Sequence, residues 1–181
     1  MTYSIPMFTA NRDNPKGDLS AILDATDGIN SADFGGIELR GADLSGKTFT
    51  GCDFTRAVFH DVRFDGCRFR MCFFDFARFT RCSLKGCDIQ FSSFGGVHVS
   101  DSTFENSDLL HDNFNGLLSG NTSFNDSDLY NSRFVMATLK DTSFQNCNLK
   151  KTMFCQTIRE KVSFKASNTR EAIFGKGESP E

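Results

Sequence analysis

Thiol and imidazole groups are the side chains of this 181-residue sequence best suited to nucleophilic or metal chemistry, and their spacing matches neither use. The cysteines are Cys52, Cys67, Cys72, Cys82, Cys87, Cys147 and Cys155, and the histidines are His60, His98 and His111. The cysteine count is odd and no CxxC pair occurs, which disfavours a zinc knuckle or a disulfide framework. No HExxH, nucleophile elbow or phosphate-binding loop is present. The sequence therefore predicts a protein that is not an enzyme, with no catalytic residue, cofactor or metal ligand.

Composition and charge narrow the class of protein further. The formal net charge is −3, with 20 Lys and Arg residues against 23 Asp and Glu, so neither a nucleic-acid binder nor a strongly acidic mimic is indicated. The first residues lack a basic segment followed by an apolar stretch, and no long apolar run occurs, so we expect no signal peptide and no membrane span. We expect a cytoplasmic protein with reduced thiols, with leaderless export as an effector left open.

The dominant feature is an apolar residue at every fifth position between residues 34 and 174. Of these 29 central positions, 17 are Phe and nine are Leu, Ile or Val, which accounts for most of the 21 Phe residues in the chain. The exceptions are Ser119, Arg159 and Thr169. No insertion or deletion changes the register over 140 residues, so the chain is a tandem array of five-residue units.

A second column of small residues lies two positions before each centre. Ala, Ser, Thr or Cys occupy 22 of its 29 positions, and six of the seven cysteines belong to it, with Cys155 outside. The unit therefore reads small, polar, large apolar, polar, polar. We interpret the six cysteines as small buried filler, with a redox or metal role as the less favoured alternative.

A period of five fits neither an α-helix nor a β-strand. A coil that turns a corner every five residues solves this problem, because each side then directs one large and one small residue inward. A single coil cannot bury these residues, whereas stacked coils can, with backbone pairing between them. The sequence thus predicts a solenoid from about residue 30 to residue 175.

Units such as Ala42-Asp43-Leu44-Ser45-Gly46 and Cys52-Asp53-Phe54-Thr55-Arg56 resemble the A(D/N)LXX pattern of the pentapeptide-repeat family. The resemblance covers roughly four fifths of the chain. It implies an all-β fold, a right-handed quadrilateral parallel β-helix of about seven four-sided coils. Residues 20 apart should then stack, and the centres at 34, 54 and every twentieth residue to 174 are all Phe. We therefore expect an aromatic ladder along one face.

The two ends of the chain fall outside the clear register. Residues 1–29 are predicted to form an N-terminal capping segment, in which residues 18–23 could form a short helix. Such a cap would cover backbone groups that an open β-helix end leaves unpaired. Residues 30–175 form the predicted β-helix, and residues 176–181 the predicted disordered tail. That tail is shorter than the C-terminal dimerisation helix of some family members, so we expect a monomer or weak dimer.

The least regular repeat lies near residues 112–119. Asp112 falls at a small inward position, Leu117 is large for its place, and Ser119 replaces a core residue. We expect Leu118 to take over the core role through a local bulge, either as a tolerated irregularity or as a functional kink.

Function must then be displayed on the outer surface. The aromatic-ladder face is poor in charge and has outward apolar residues that form the candidate partner-binding set, which comprises Phe73, Phe76, Val135, Met136, Met153 and Ile173. A second candidate is an acidic face on which Asp88, Asp108 and Asp128 stack. Aspartate is also common at that position of the repeat, where it can bond local backbone.

Two functions are compatible with these features. The first is a protein–protein interaction module or scaffold that binds an unidentified protein partner, with no direct nucleic-acid contact. The second follows from the family resemblance, which implies a DNA-mimicking binder of DNA gyrase or another topoisomerase that protects it from inhibitors. The acidic middle of the chain, net −6 over residues 86–149, favours the second, whereas the basic flanks and small net charge favour the first.

Overall fold

The computed structural model describes residues 27–176, which form an all-β solenoid without a helix. Its strands are β1 (Gly28–Asn30), β2 (Glu38–Arg40), β3 (Thr48–Thr50), β4 (Val58–His60), β5 (Arg68–Arg70), β6 (Arg78–Thr80), β7 (Asp88–Gln90), β8 (His98–Ser100), β9 (Asp108–Leu110), β10 (Leu118–Ser123), β11 (Thr138–Ser143), β12 (Met153–Phe154), β13 (Ile158–Glu160) and β14 (Ile173–Phe174). No helix that could cross a membrane occurs among these residues.

All strand pairs are parallel, and paired residues are 20 positions apart, as Phe49 is from Phe69 and Phe59 from Phe79. Four five-residue units therefore complete one coil, and the described residues make about seven coils. The predicted solenoid and its unbroken register are confirmed.

Each coil has four sides, which we name by the positions of their central residues. Face A has centres from 34 to 174 and face B from 39 to 159, whereas face C has centres from 44 to 164 and face D from 29 to 169. Strands β1, β3, β5, β7 and β9 form the sheet of face D, and β2, β4, β6, β8, β10, β11 and β13 form the sheet of face B. Face A consists of isolated parallel bridges and the β12–β14 pair.

The central residues fill the interior. On face A the phenylalanine rings stack from coil to coil, with centroids 4.8 Å apart for Phe54 and Phe74 and 4.7 Å apart for Phe74 and Phe94. Rings of faces A and C meet edge-on, as Phe114 and Phe124 do at 83°. The predicted aromatic ladder is confirmed. Both geometries are preferred by aromatic pairs and add to the free energy of burial.

The small inward residues connect successive coils through their side chains. The Ser132 hydroxyl donates to the Leu109 carbonyl oxygen at 2.7 Å, and Oγ of Ser132 accepts from the backbone amide of Asp112 at 2.9 Å. The Cys67 thiol similarly contacts the Leu44 carbonyl oxygen at 3.0 Å. These contacts explain why Ser, Thr and Cys alternate with Ala in this column, since each satisfies its own polar group.

Every corner of the solenoid contains one residue in the left-handed backbone conformation. All 29 residues at every fifth position from Ser31 to Glu171 have positive φ, and only eight of them are glycine. In the corner at Arg56 the Ala57 amide donates to the Phe54 carbonyl oxygen at 2.9 Å, which closes a tight turn. Turns of this kind require positive φ at their third residue, a conformation that costs a bulky residue about 1–2 kcal/mol.

The irregular coil contradicts one prediction. Leu118 is not in the core but 43% exposed, whereas Leu117 is fully buried and Ser119 keeps the central position. No bulge forms, because Ser119 pairs with Val99 on one side and with Leu139 on the other. The Ser119 hydroxyl lies 2.8 Å from Thr142 Oγ1, and this hydrogen bond allows a polar residue to occupy the centre.

The described solenoid begins within the segment that was predicted to be a cap. Strand β1 begins at Gly28, two residues before the predicted start, and pairs with β3. The rest of the predicted cap and most of the predicted tail lie outside the described residues. At the C-terminal end the Arg159 guanidinium lies 5.9 Å from the ring centroid of Phe164 and 5.3 Å from that of Phe174. A cation thus covers the last rings of the core.

Candidate interaction surface

The thiols that could do chemistry are enclosed by the core. Cys52, Cys67, Cys72, Cys82, Cys87 and Cys147 are buried, Cys155 is partly buried, and none forms a disulfide. Burial raises the pKa of the Cys67 thiol to about 12 and that of Cys147 to about 11. Since the thiolate is the reactive and metal-binding form, Cys67 and Cys147 act as packing residues. Within residues 27–176, no group of three or more His, Cys, Asp or Glu side chains could hold a metal ion.

The six apolar residues predicted to bind a partner lie on face A or at its corner, but not in one patch. Phe73, Phe76, Met136 and Ile173 are exposed, whereas Val135 and Met153 are partly buried. Phe73 and Phe76 lie on either side of Phe74, one of the stacked central residues of face A. Met136 lies three coils further along the solenoid, which is about 14 Å at the usual strand spacing.

Met153 and Ile173 form a separate group near the C-terminal end, where they are register neighbours in β12 and β14. The predicted set is therefore three clusters along one side.

Two exposed apolar residues beside face A were missed by the sequence reasoning. Met71 and Phe91 are 55% and 60% exposed and lie at the corner between faces D and A. The Phe91 ring stacks on His111 with a centroid distance of 5.0 Å, and His111 Nδ1 lies 2.9 Å from Asn131 Nδ2. Their positions, two residues after a centre, were the available signal, because that position is always a corner.

The corner between faces A and B, which we call the A/B corner, holds a notch. Its residues at 76, 96, 116 and 136 are Phe76, Gly96, Gly116 and Met136, in four consecutive coils. The Phe76 ring lies over Gly96, where an added Cβ would be 2.8 Å from Cδ1 and Cε1 of the ring. Next to Gly96, a Cβ at Gly116 would be 3.7 Å from the Gly96 backbone. The Phe76 ring thus covers Gly96, and the open floor between this ring and Met136 is the backbone at Gly116.

The acidic candidates do stack, but their charges are partly compensated. Asp88 pairs in register with Asp108, and Asp108 with Asp128. Asp88 Oδ1 accepts from Arg70 at 2.6 Å, and Asp88 Oδ2 accepts from Arg68 at 3.2 Å. Partial burial acts to raise the pKa of Asp88, but these two arginines outweigh it and lower the pKa.

The Asp128 carboxylate, two coils after Asp88 on the same face, accepts hydrogen bonds from neutral donors. Asp128 Oδ1 accepts from the Tyr130 amide at 2.9 Å and from Asn148 Nδ2 at 3.0 Å. The face is therefore not a continuous row of free anions.

Solved structures with a similar chain trace include three repeat proteins. QnrB1, a plasmid-mediated fluoroquinolone resistance protein, has 18% identity and a TM-score of 0.42 over 81% of this chain and 82% of its own. Rfr23, a pentapeptide repeat protein from the cyanobacterium Cyanothece 51142, has 11% identity and a TM-score of 0.49 over 89% and 99%. HetL, a pentapeptide repeat protein involved in heterocyst differentiation regulation in Nostoc sp. strain PCC 7120, has 12% identity and a TM-score of 0.39 over 88% and 94%.

No curated protein matches the sequence. Two family models do: the model of eight copies of the pentapeptide repeat matches residues 32–70, and that of a pentapeptide repeat region matches residues 97–174. Together these matches cover more than half of the chain, and the matched residues carry the solenoid register described above. The chain belongs to the pentapeptide-repeat family.

Proposed function

We propose that this protein is a non-enzymatic protein-binding module whose partner docks on face A and its two corners. The observation that carries the proposal is the placement of bulky apolar side chains at left-handed corners. Met71, Phe76, Phe91 and Met136 all have positive φ, and each is at least 55% exposed. Every corner requires this conformation, which a bulky side chain adopts only at a cost in free energy, so the turn itself does not favour these four side chains.

Packing of the core does not require apolar side chains at these four corners. The rings of the interior are complete without them, since thirteen phenylalanines are fully buried along the coils. Gly, Asn and Asp, which tolerate positive φ, occupy many of the other corners, including Gly66, Asp101 and Asn146. An exposed apolar cluster on a soluble surface typically marks an interaction site. A rigid, fully paired scaffold also presents such residues with little loss of conformational entropy on binding.

The test compares partner capture by the wild-type protein and by the Phe73→Ser/Phe76→Ser variant. Both are immobilised and incubated with lysate of the source cells, and bound proteins are quantified by mass spectrometry. Ile158→Ser is the matched control, because Ile158 is 67% exposed but lies on face B, at the far end of the solenoid. We expect specific captures to be lost from the double variant only, with unchanged thermal unfolding. Capture that survives in the double variant, or is lost equally in the control, would refute this surface.

DNA mimicry directed at gyrase is the less supported function. A mimic requires a row of uncompensated anions, whereas Asp88 is bound by two arginines and Asp128 by amide donors. A gyrase supercoiling assay at rising protein concentration, with and without a quinolone, separates the two functions. We expect neither inhibition nor protection.

A further inference from the structure

We infer that the A/B corner binds an acidic peptide segment that carries large apolar side chains, an inference that rests on the proposed protein-binding function. The notch between Phe76 and Met136 supplies the apolar part of this site. Phe76 is 61% exposed and Met136 is 65% exposed, so both present most of their surface to a partner. Between them the floor is backbone, because the corner positions are Gly96 and Gly116.

The floor is also shaped for close approach. Gly96 and Gly116 have φ values of +62° and +69°, so their conformation suits glycine. At Gly96 a side chain would displace the Phe76 ring, and at Gly116 it would fill the space next to Gly96. The Phe76 ring already covers Gly96, so a side chain of a partner can enter over Gly116, where no side chain lies within 4 Å of an added Cβ.

The face B side of this corner continues into a shallow groove of about 310 Å³. Arg78, His98, Leu118 and Gly120 line it, together with the backbone of their strands β6, β8 and β10. Leu118 is 43% exposed and adds an apolar contact, and Gly120 leaves open space, since nothing lies within 4 Å of its missing Cβ. Arg78, His98 and Leu118 each follow the A/B corner by two residues, so the groove begins next to the notch and one extended segment could occupy both.

Charge complementarity identifies the kind of segment. Most cations of the described chain have a carboxylate partner, as Arg63 has in Asp43 and Arg81 in Asp61. Within residues 27–176, Arg56, Arg78 and Arg133 form no ion pair. All three border this site: Arg56 is one coil before Phe76, Arg78 lies two residues after it, and Arg133 is on face A three residues before Met136.

The carboxylate nearest to Arg78 in sequence is already engaged. Asp75 Oδ1 accepts from the Gly95 amide at 2.9 Å and from the Ser93 hydroxyl at 2.6 Å. It is therefore bound to the coil of Gly96 and not to an arginine. Unpaired arginines around an apolar notch favour a ligand that brings its own carboxylates, because complementary charge steers and orients a partner.

A peptide fits the site better than a nucleic acid. From the coil of Arg56 to that of Met136 is four coils, or about 19 Å, which six extended residues span. A polyanion would carry charge along its whole length, whereas this corner offers only three free arginines beside the carboxylate of Asp75. Single-strand binding also uses several stacking platforms, whereas Phe76 is the single exposed aromatic ring among the described residues of this corner.

The test measures binding of fluorescein-labelled peptides by fluorescence anisotropy. The probe is an alternating glutamate–leucine octapeptide, and its matched control has glutamine in place of every glutamate. The site variant is Arg56→Ser/Arg78→Ser, and Arg63→Ser/Arg81→Ser is the control with the same change in net charge. A labelled single-stranded oligothymidine and a sedimentation run of the free protein accompany these measurements.

We expect the wild-type protein to bind the acidic peptide about tenfold or more tightly than the glutamine peptide. The site variant should lose this preference, and the control variant should keep it. Equal binding of both peptides, no binding of the acidic peptide, or equal losses in both variants would overturn the inference. Tighter binding of oligothymidine would assign the corner to nucleic acid, and a dimer abolished by Phe76→Ser would assign it to a second copy. If capture still depends on Phe73 and Phe76 while the acidic preference is absent, only the acidic-peptide inference falls.

Discussion

Asp112 Oδ1 accepts a hydrogen bond of 2.8 Å from the backbone amide of Ser92, one coil away, while Asp112 Oδ2 has no partner among the described residues. The carboxyl is completely buried, and this burial raises its pKa to about 8. The Ser92 amide and the charge of Arg70 act in the opposite direction, and the charge of Asp88 adds to the rise. A titratable group thus occupies a position that Ser132 and Thr152 fill in later coils.

This arrangement predicts that the stability of the protein falls as the pH rises. The aspartate of an unfolded chain ionises near its ordinary pKa of 3.8, whereas the folded carboxyl stays protonated until about pH 8. Stability associated with Asp112 is therefore fully present below pH 4 and is lost progressively up to pH 8. Asp112→Ser should be more stable than the wild type by on the order of 2–4 kcal/mol at pH 8. The gain should shrink towards pH 4, as measured by urea unfolding at both values.

The matched control for this prediction is Asp108→Ser, which removes an exposed carboxylate one unit earlier in the chain. Its free energy of unfolding should change by less than about 0.5 kcal/mol at either pH. A gain for Asp112→Ser that does not depend on pH would show that the carboxyl is not the cause.

The aromatic ladder predicts a sharp contrast between two phenylalanines of adjacent coils. Phe94 is fully buried between Phe74 and Phe114, with ring centroids 4.7 Å away on both sides. Phe94→Ala should lower the free energy of unfolding by about 3–5 kcal/mol, because it removes a buried ring and leaves a cavity. Phe76→Ala removes a ring that is 61% exposed and should change it by less than about 1 kcal/mol. Similar losses in the two variants, measured by denaturant unfolding, would contradict the assigned register.

The glycine floor predicts that one substitution affects binding and a similar one does not. Gly96→Ala would place a methyl group 2.8 Å from the Phe76 ring, whereas nothing lies within 4 Å of a Cβ at Gly36. Both glycines have positive φ, so both variants should lose about 1 kcal/mol of stability. Only Gly96→Ala should displace Phe76 and weaken binding of the acidic peptide, by about threefold to tenfold. Equal peptide affinities in the two variants would mean that the position of this ring does not matter.

The C-terminal end offers a prediction about an arginine at a core position. The Arg159 guanidinium faces the rings of Phe164 and Phe174, and its aliphatic stem adds apolar contact. Arg159→Ala should lower the unfolding midpoint, with a loss of about 1 kcal/mol. Arg133→Ala, at an exposed arginine without an ion pair among the described residues, should leave the midpoint unchanged. A thermal melt of both variants checks this.

Much of the fold could be predicted because the same packing requirement recurs in every five-residue unit. A large and a small inward residue in each unit, and the row of phenylalanines at every twentieth position, sufficed to predict the stacked coils. The prediction that Leu118 enters the core was wrong, because side-chain hydrophobicity does not determine which residue occupies the centre. Backbone pairing with Val99 and Leu139 holds Ser119 there. The hydroxyl of Ser119 then finds Thr142, a contact 23 residues away that no local pattern indicates.

The candidate surface could be predicted less well. Phe73 and Phe76 follow from the repeat, since they occupy outward positions of face A. Met71 belongs to a unit of face D, so its proximity to face A depends on how the corner turns. The notch also required the structure, because a glycine in a repeat can equally serve only the turn, as Gly36 does with open space around it.

The 20-residue register determines how such a molecule can change its length. Because every residue pairs with the one 20 positions away, a segment of that length can be duplicated or removed without disturbing any face. A change of five residues would instead rotate everything beyond it onto the neighbouring face and separate Phe76 from Met136 around the axis. The distance between two interaction sites on one face can therefore change only in steps of one coil, about 4.8 Å each.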